Sequence, residues 1–218
     1  MSGLQRTRLT VVALGMAGLL ALTACGSDSN DAAAGTTTTA TASGGFDVTA
    51  ARQYCTDNKG VVQTRSAVWG TNNDPSTWVH LPGMTEMCMF QTLNDDAKSK
   101  IVVDLVSLYS NGPTLASVAY LSKVPSPPFT GANPATADCA ALNGSSQFGN
   151  TVAGGGWIEQ GATSSDDVVN LCVFPDGSFI DDWGITYYAG GVVRGIDLKP
   201  VFRYQPATLP PMFQATKK

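Results

Sequence analysis

Five cysteines and a single histidine are the residues of this 218-residue chain best suited to chemistry. His80 would have to serve any serine–histidine–acid device, because the chain holds no other histidine. No G-x-S-x-G motif accompanies it. The sequence therefore predicts an ordinary strand or surface histidine at position 80, and a hydrolase is the least favoured function.

The spacing of four cysteines indicates two structural disulfide bonds. Cys55 and Cys88 are 33 residues apart, and Cys139 and Cys172 have the same separation. Four cysteines allow three pairings, and the repeated spacing selects Cys55 with Cys88 and Cys139 with Cys172. A zinc or redox site is not indicated, because the chain has no C-x-x-C pair and only one histidine.

Neither the acidic pairs nor the glycine runs match a known cofactor loop. Asp166, Asp167, Asp181 and Asp182 do not have the spacing of a calcium-binding loop. Adjacent residues of a strand point to opposite faces, so we expect one member of a pair to be buried or capping and the other solvated. The glycines at 154–156 lack the lysine and hydroxyl residue of a phosphate-binding loop. The sequence thus predicts neither a metal nor a cofactor.

Two of the four tryptophans are the best candidates for a binding surface. Trp69 and Trp157 are predicted to lie in the variable loops that follow two predicted helices, where they would make exposed aromatic contacts. Trp183 is expected in the core. A concave pocket beside Trp69 and Trp157 would favour a small ligand or a glycan, whereas a flat exposed patch would favour a protein partner.

The cysteine pairs belong to two similar stretches, which indicates an internal duplication. At an offset of 84 residues, Thr49 matches Asn133, and Gly60 matches Gly144. Thr49 and Asn133 are predicted N-caps, and the two glycines are predicted to follow the helices in the C′ position. Each copy therefore predicts a helix, a variable loop, a strand, a turn and a second strand.

The second copy shows the hairpin most clearly, at residues 168–184. Pro175, Asp176 and Gly177 are typical of a tight turn, and alternating apolar residues flank them. Residues 185–188 are predicted to extend the return strand, and the turn of the first copy is predicted to be six residues longer. The predicted fold class is α+β: two related small modules, each with one disulfide, that share one antiparallel sheet with helices on one side.

Composition divides the chain into six segments. A short helix at 114–123 is predicted to end the first module, and residues 192–203 are predicted to add a strand or short helix to the second. The segments are a signal peptide at 1–24, a lipidated cysteine and flexible linker at 25–45, a degenerate first module at 46–124, a proline-rich linker at 125–132, the second module at 133–204 and a disordered tail at 205–218.

The N-terminal segment carries the pattern of an export signal. Arg6 and Arg8 precede a 16-residue apolar run at 9–24, which is short for a membrane span and suited to a signal peptide. The run ends in Leu22, Thr23, Ala24 and Cys25, which resembles the lipobox of bacterial lipoproteins. That resemblance implies a lipid on Cys25 and a protein anchored at the extracytoplasmic face of the cell membrane without spanning it.

The second module resembles the DUF333 family, a group of small bacterial domains often labelled "hemolysin". The resemblance rests on an Asn-Pro-Ala start at 133–135, on Cys139, Gly144 and Cys172, and on the stretch that ends at Trp183. It implies no catalytic residues. The sequence also shows no amphipathic or pore-forming stretch that would support membrane damage.

The charge of the chain excludes one class of partner. Without Arg6 and Arg8, 11 basic residues remain against 17 acidic ones, a formal charge of −6, and they form no basic cluster, so nucleic-acid binding is not expected. The predicted function is a non-catalytic module that binds or inhibits an envelope or extracellular protein. The alternative is a structural or sensing component of the envelope that binds a small ligand or a glycan.

Overall fold

The computed structural model describes residues 45–92, 98–128, 131, 133–148 and 151–210. The predicted signal peptide, Cys25 and the rest of the linker up to residue 44 lie outside these residues. So do the predicted turn at 93–96 and the end of the predicted tail, 211–218. Those predictions therefore stay predictions.

The described residues form a seven-stranded antiparallel sheet and five α-helices. The strands are β1 (Val61–Trp69), β2 (Val79–Gln91), β3 (Lys100–Asp104), β4 (Ser145–Ser146), β5 (Gly155–Glu159), β6 (Leu171–Val173) and β7 (Phe179–Asp181), in the spatial order β4-β6-β7-β3-β2-β1-β5. The helices are α1 (Val48–Asp57), α2 (Leu105–Tyr109), α3 (Leu115–Ser122), α4 (Pro134–Ala141) and α5 (Asp182–Ala189), and short 3₁₀ turns lie at Pro75–Thr77 and Ser165–Asp167. The predicted α+β class with one shared antiparallel sheet is confirmed.

The pairing register of the sheet repeats between the two copies. Val62 of β1 lies opposite Cys88 of β2, and Ser146 of β4 lies opposite Cys172 of β6. Both partners are related by the same offset of 84 residues. Strands β1, β2 and β3 therefore correspond to β4, β6 and β7, and the two sets run in mirrored order from the centre of the sheet.

The two copies meet at equivalent residues. Val103 of β3 pairs with Cys88, Ile180 of β7 pairs with Cys172, and Val103 and Ile180 lie opposite each other where β3 meets β7. Val103 and Ile180 are 77 positions apart, whereas the earlier matched residues are 84 apart. The turn of the first copy is therefore seven residues longer than that of the second, and the predicted difference of six is wrong. An approximate two-fold axis thus passes between β3 and β7.

The predicted return strand of the second copy is too long. An aspartate ends the last strand of each copy and begins a helix: Asp104 Oδ1 accepts from Ser107 N at 2.7 Å, and Asp181 Oδ1 accepts from Trp183 N at 3.0 Å. Side-chain caps of this kind favour a helix over continued strand pairing. Residues 182–188 are therefore helical, and Trp183 is half-buried on α5 and not in the core. Residues 192–203 form turns and not a strand or helix.

The predicted helix starts are partly confirmed. Asn133 caps α4 through its Oδ1, and Pro134 is the first helical residue, as predicted. Helix α1 begins two residues earlier than predicted, because Asp47 and not Thr49 is its cap. The short predicted helix after the first hairpin is confirmed as α3, with Thr114 in a capping box.

Each predicted disulfide is present and joins the first helix of a copy to its middle strand. Cys55 on α1 bonds to Cys88 on β2 with 5.8 Å between their Cα atoms, and Cys139 on α4 bonds to Cys172 on β6 with 5.6 Å. All four cysteines are buried. Closing loops of this length stabilises a fold by about 3–4 kcal/mol in the chain-entropy description.

Gly60 and Gly144 are required for a different reason from the predicted C′ position. The left-handed residues are Lys59 (φ 68°) and Asn143 (φ 60°), one position before each glycine. A Cβ on Gly60 would lie 2.8 Å from the Sγ of Cys55, and one on Gly144 would lie 2.9 Å from an Sγ of the second disulfide. The glycines are required because the sulfur atoms lie directly against the backbone.

The sheet has a core on each face. Alternate strand residues, among them Phe90, Ile101 and Ile180, pack under the helices together with both disulfides. The intervening residues form a smaller cluster on the other face, where the sheet curls because Val169, just before β6, exchanges backbone hydrogen bonds with Trp157 of β5. This cluster is Met87, Met89, Val102, Val169 and Leu171.

Asp181 and Asp182 are both buried, at 3% and 1% exposure, whereas one of them was predicted to be solvated. Asp182 Oδ2 accepts from Ser146 Oγ at 2.6 Å, and its Oδ1 meets no donor among the described residues. Burial, reinforced by the charge of Asp182, raises the pKa of Asp181 to about 7, although the charge of Arg194 opposes the shift. Burial also raises the pKa of Asp182.

Substitution of Gly144 by alanine is expected to destabilise the oxidised protein by about 1–3 kcal/mol, because the added Cβ overlaps the second disulfide. Denaturant unfolding measures the loss. Gly112→Ala is the matched control, since a Cβ there meets only Ser110 Oγ at 3.6 Å. In a Cys139→Ala, Cys172→Ala background the penalty should shrink, and an equal penalty in both backgrounds would contradict the steric explanation.

The stability of the protein is expected to fall as the pH rises from about 4 to 7. In this interval the folded chain keeps a proton on Asp181 that the unfolded chain, with a pKa of 3.8, has released. Asp181→Asn keeps a good helix cap and removes this titration. The slope of unfolding free energy against pH should then flatten by on the order of 1–4 kcal/mol over the interval. Asp57→Asn, which alters an exposed carboxyl, should leave the slope as it is.

Candidate functional site

The two candidate tryptophans lie on paired strands and not in loops. Trp69 of β1 lies opposite Gly155 of β5, and Ala67 lies opposite Trp157. The variable stretches of the two copies therefore supply backbone partners to each other, which single-sequence reading of either stretch does not show. Among the described residues of the first copy, strand β5 has no counterpart.

Trp157 is packed into the folded body and is only partly exposed. Its indole N–H donates to Gln147 Oε1 at 2.8 Å, and its ring packs against the apolar cluster on the curled face. Its backbone exchanges hydrogen bonds of 2.8 and 3.0 Å with Val169. The prediction that Trp157 is an exposed aromatic contact is not supported by this placement.

Trp69 is the more accessible of the two, with 38% of its surface exposed. Its ring meets the ring of Phe148 edge to face, with 6.1 Å between the centroids. Phe148 in turn lines a cleft that opens beside this end of β1. The candidate site is therefore the region around Trp69, and we name this opening the Trp69 cleft.

The Trp69 cleft has a volume of about 340 Å³, within the size range of small-molecule sites. Amides and hydroxyl groups dominate its wall, with one aromatic ring, one valine and two glycines. Among the described residues, none that lines it is charged. The lining consists of Thr71, Asn72, Asn133, Phe148, Thr151, Gly154, Gly155, Ser165, Val168 and Asn170.

Hydrogen bonds between two loops hold the rim of the cleft. Gly70 N donates to Gly154 O at 3.1 Å, and Asn72 donates from its backbone N to Ala153 O at 3.0 Å. The side-chain amide of Asn72 also donates to Val152 O at 3.0 Å. The loop after β1 and the loop before β5 therefore form one connected wall.

A glycine on β5 makes room for the aromatic ring of the cleft. A Cβ on Gly155 would lie 2.7 Å from the ring of Phe148 and 2.9 Å from Val68 O. Any larger residue at this position would overlap the ring of Phe148. The glycine run at 154–156 was therefore a real signal in the sequence, although it has no relation to phosphate binding.

Asn170 supplies an unused hydrogen-bond acceptor. Its Oδ1 is buried and meets no donor among the described residues. Its backbone is fixed, because Asp182 N donates to Asn170 O at 3.1 Å. Buried polar atoms are nearly always partnered, and this oxygen is an exception among the residues that line the cleft.

The polar side chains that line the cleft are amides and hydroxyl groups, which can form hydrogen bonds with a ligand. His80 lies exposed on β2 opposite Val68, and it is not among the residues that line the Trp69 cleft. Within the same residues, no group of three or more histidine, cysteine or acidic side chains could hold a metal ion. The cleft offers amide and hydroxyl groups and an aromatic edge.

The sequence showed only part of this site. Trp69 was identified, but Asn72 and Asn170 were not, because they are 98 positions apart and come together only through the pairing of β1 with β5 and the bridge to Val169. No feature of the sequence distinguishes them from other surface asparagines. The glycine run was the one local signal that marked the region.

Comparison with known proteins identifies no relative for this chain. No helix of the described segments is long and apolar enough to cross a membrane. No protein-family model matches the chain, and no curated protein or solved structure matches it significantly.

Proposed function

We propose that this protein is a lipid-anchored envelope lipoprotein whose folded body binds an uncharged, hydroxyl-rich ligand, a glycan, in the Trp69 cleft. The single observation that carries the ligand proposal is the buried, unpartnered Oδ1 of Asn170 in a cleft wall without charged side chains. A hydroxyl group of the ligand supplies the missing donor. No catalytic role is part of the proposal.

The lining of the cleft supports a sugar over an apolar ligand. Amide side chains both donate and accept hydrogen bonds, which matches the alternating roles of sugar hydroxyl groups. The ring of Phe148, which lines the cleft and is held edge to face by Trp69, supplies an apolar surface for the C–H face of a sugar ring. A charged ligand would lose its hydration here without gaining an ionic partner.

The membrane anchor is proposed from the sequence alone. The lipobox-like residues 22–25 and the flexible composition of 26–45 support a body held away from the bilayer by a tether. The resemblance of the second module to the DUF333 family is likewise a proposal. It adds no ligand and no catalytic residue to the argument.

A second candidate function is the binding or inhibition of an envelope protein, and one surface favours it. Tyr187, Val192 and Val193 are 42%, 52% and 45% exposed. They lie together at the C-terminal end of α5, because Val192 N donates to the O of Tyr187 in the last turn of the helix at 2.8 Å. Clustered exposed apolar side chains are typical of protein-interaction surfaces.

Replacement of Asn170 by alanine is expected to weaken oligosaccharide binding by at least tenfold, because the acceptor in the cleft wall is removed. Tenfold corresponds to about 1.4 kcal/mol. Calorimetry of the full-length protein in detergent against soluble neutral tetrasaccharides built from glucose or N-acetylglucosamine measures the change. Trp69→Ala should act in the same direction, and Asn111→Ala, an exposed asparagine elsewhere, is the matched control.

Two results would contradict the glycan proposal. One is a wild-type protein that binds none of the tetrasaccharides. The other is binding that Asn170→Ala and Trp69→Ala leave unchanged. A protein that ignores oligosaccharides but binds an envelope protein in a way that depends on Tyr187 would replace the glycan function with the second candidate.

Substitution of Cys25 by serine is expected to move the protein from the membrane fraction to the soluble fraction of the producing cells, because serine cannot accept a thioether-linked lipid. Fractionation followed by immunoblotting measures the distribution. Mass spectrometry of the mature wild-type N-terminus provides an independent check. A Cys25→Ser variant that stays in the membrane fraction would rule out anchoring through this residue.

A further inference from the structure

A second cavity, of about 600 Å³, lies on the other side of the 3₁₀ turn Ser165–Asp167 from the Trp69 cleft. Ser165 lines the cleft, whereas Asp166 and Asp167 line this cavity. Three basic residues face it, so we name it the basic cavity: Lys98, Lys100 and Arg194.

Arg194 is held at the basic cavity by its neighbour Gly195. Thr92 Oγ1 donates to Gly195 O at 2.6 Å, and Gly195 N donates to Ser99 Oγ at 3.3 Å. Gly195 has a left-handed φ of 65°, and a Cβ there would lie 2.5 Å from Phe90 O. The backbone of Arg194 is therefore pinned against the β2–β3 hairpin.

The side chain of Arg194 is placed but not paired. Its guanidinium carbon lies 5.4 Å from the ring centroid of Tyr187, which orients the planar group. No carboxylate of the described residues lies within ion-pair distance of it. The charge of Arg194 lowers the pKa of Asp181 and of Asp182, but burial raises the pKa of both. A protonated carboxyl group carries no charge, so the two residues neutralise Arg194 only weakly.

The other two cations differ from each other. Lys100 is satisfied, because its Nζ donates to the backbone carbonyl of Asp166 and lies 3.6 Å from Asp167 Oδ1. Lys98 is exposed and has no carboxylate partner within the described ranges. Within the residues that the structure describes, two cations that face the same cavity thus lack an ion-pair partner.

We propose that the basic cavity binds an oxyanion, a phosphate or carboxylate group of a ligand, between Arg194 and Lys98. The planar fork of a guanidinium matches two oxygen atoms of such a group, and a lysine adds a mobile point charge. The site is separate from the Trp69 cleft and does not depend on glycan binding there. It gives an acidic protein one position at which an anion is favoured.

Titration of the full-length ¹⁵N-labelled protein in detergent with inorganic phosphate, and separately with acetate, tests the proposal at constant pH and ionic strength. We expect saturable shifts of the backbone amides of Lys100, Arg194 and Gly195. Arg194→Gln should weaken binding at least tenfold. Arg203→Gln is the matched control, because Arg203 also stacks on an aromatic ring, that of Tyr109 at 4.2 Å, and lies elsewhere.

Lys98→Gln provides a second variant, since this side chain is exposed and its loss leaves the core intact. It should weaken binding in the same direction as Arg194→Gln. Response to phosphate alone identifies a phosphate-bearing ligand, and response to acetate alone identifies a carboxylate. No saturable shift with either probe, or an equal loss in Arg203→Gln, would overturn the proposal.

Discussion

One disulfide bond, which lies directly against a glycine, holds each half of this protein together. Each bond joins the first helix of a copy to the middle strand of its half-sheet, and the missing side chain at Gly60 or Gly144 lets helix and strand approach that closely. A protein with 14% charged residues and short helices has few other means of fixing this packing. The equal halves that result are what the rest of the structure is built on.

The halves are joined by a polar contact as well as by strand pairing. Asp104 ends β3, caps α2 and accepts a hydrogen bond from Phe179 N of the other copy at 2.9 Å through Oδ2. Burial raises the pKa of this carboxyl, while its hydrogen bonds to Ser107 and Phe179 act in the opposite direction. One side chain thus links the end of a strand, the start of a helix and the neighbouring copy.

The functional candidates lie where the two-fold relation fails. Within the described ranges, strand β5 is a feature of the second copy alone. It pairs with β1 of the first copy and meets Val169 on its other side. The Trp69 cleft forms between these added contacts, whereas the centre of the sheet, where the copies correspond, has no comparable opening among the described cavities. The duplication supplies a rigid frame, and the insertion supplies a surface that differs between the two ends.

The difference between what sequence predicted and what it missed follows from the range of the interactions. Equal cysteine spacing and the Asn133 cap are local or covalent signals, so the disulfides, the repeat and the start of α4 were predicted correctly. Helix α5 was read as a strand because its apolar residues also fit an alternating pattern, and the capping role of Asp181 outweighed it. The Trp69 cleft depends on pairing between distant strands, which no local pattern encodes.

Arg65 shows how the two cavities depend on one buried charge. It is 1% exposed on the curled face of the sheet, where burial lowers the pKa of its guanidinium, and the charges of Glu159 and Asp167 oppose that shift. It donates to Gln63 Oε1 at 3.0 and 2.7 Å, to Trp157 O at 3.0 Å and to Asp167 O at 2.6 Å.

Neutral acceptors therefore satisfy a charge that is costly to bury, and removal of any one of them would leave part of that charge without a partner. Through these hydrogen bonds, Arg65 attaches β1 to β5 and to the 3₁₀ turn Ser165–Asp167. That turn separates the Trp69 cleft from the basic cavity, with Ser165 on one side and Asp167 on the other. Arg65 thus links the elements that shape both candidate sites and lines neither cavity.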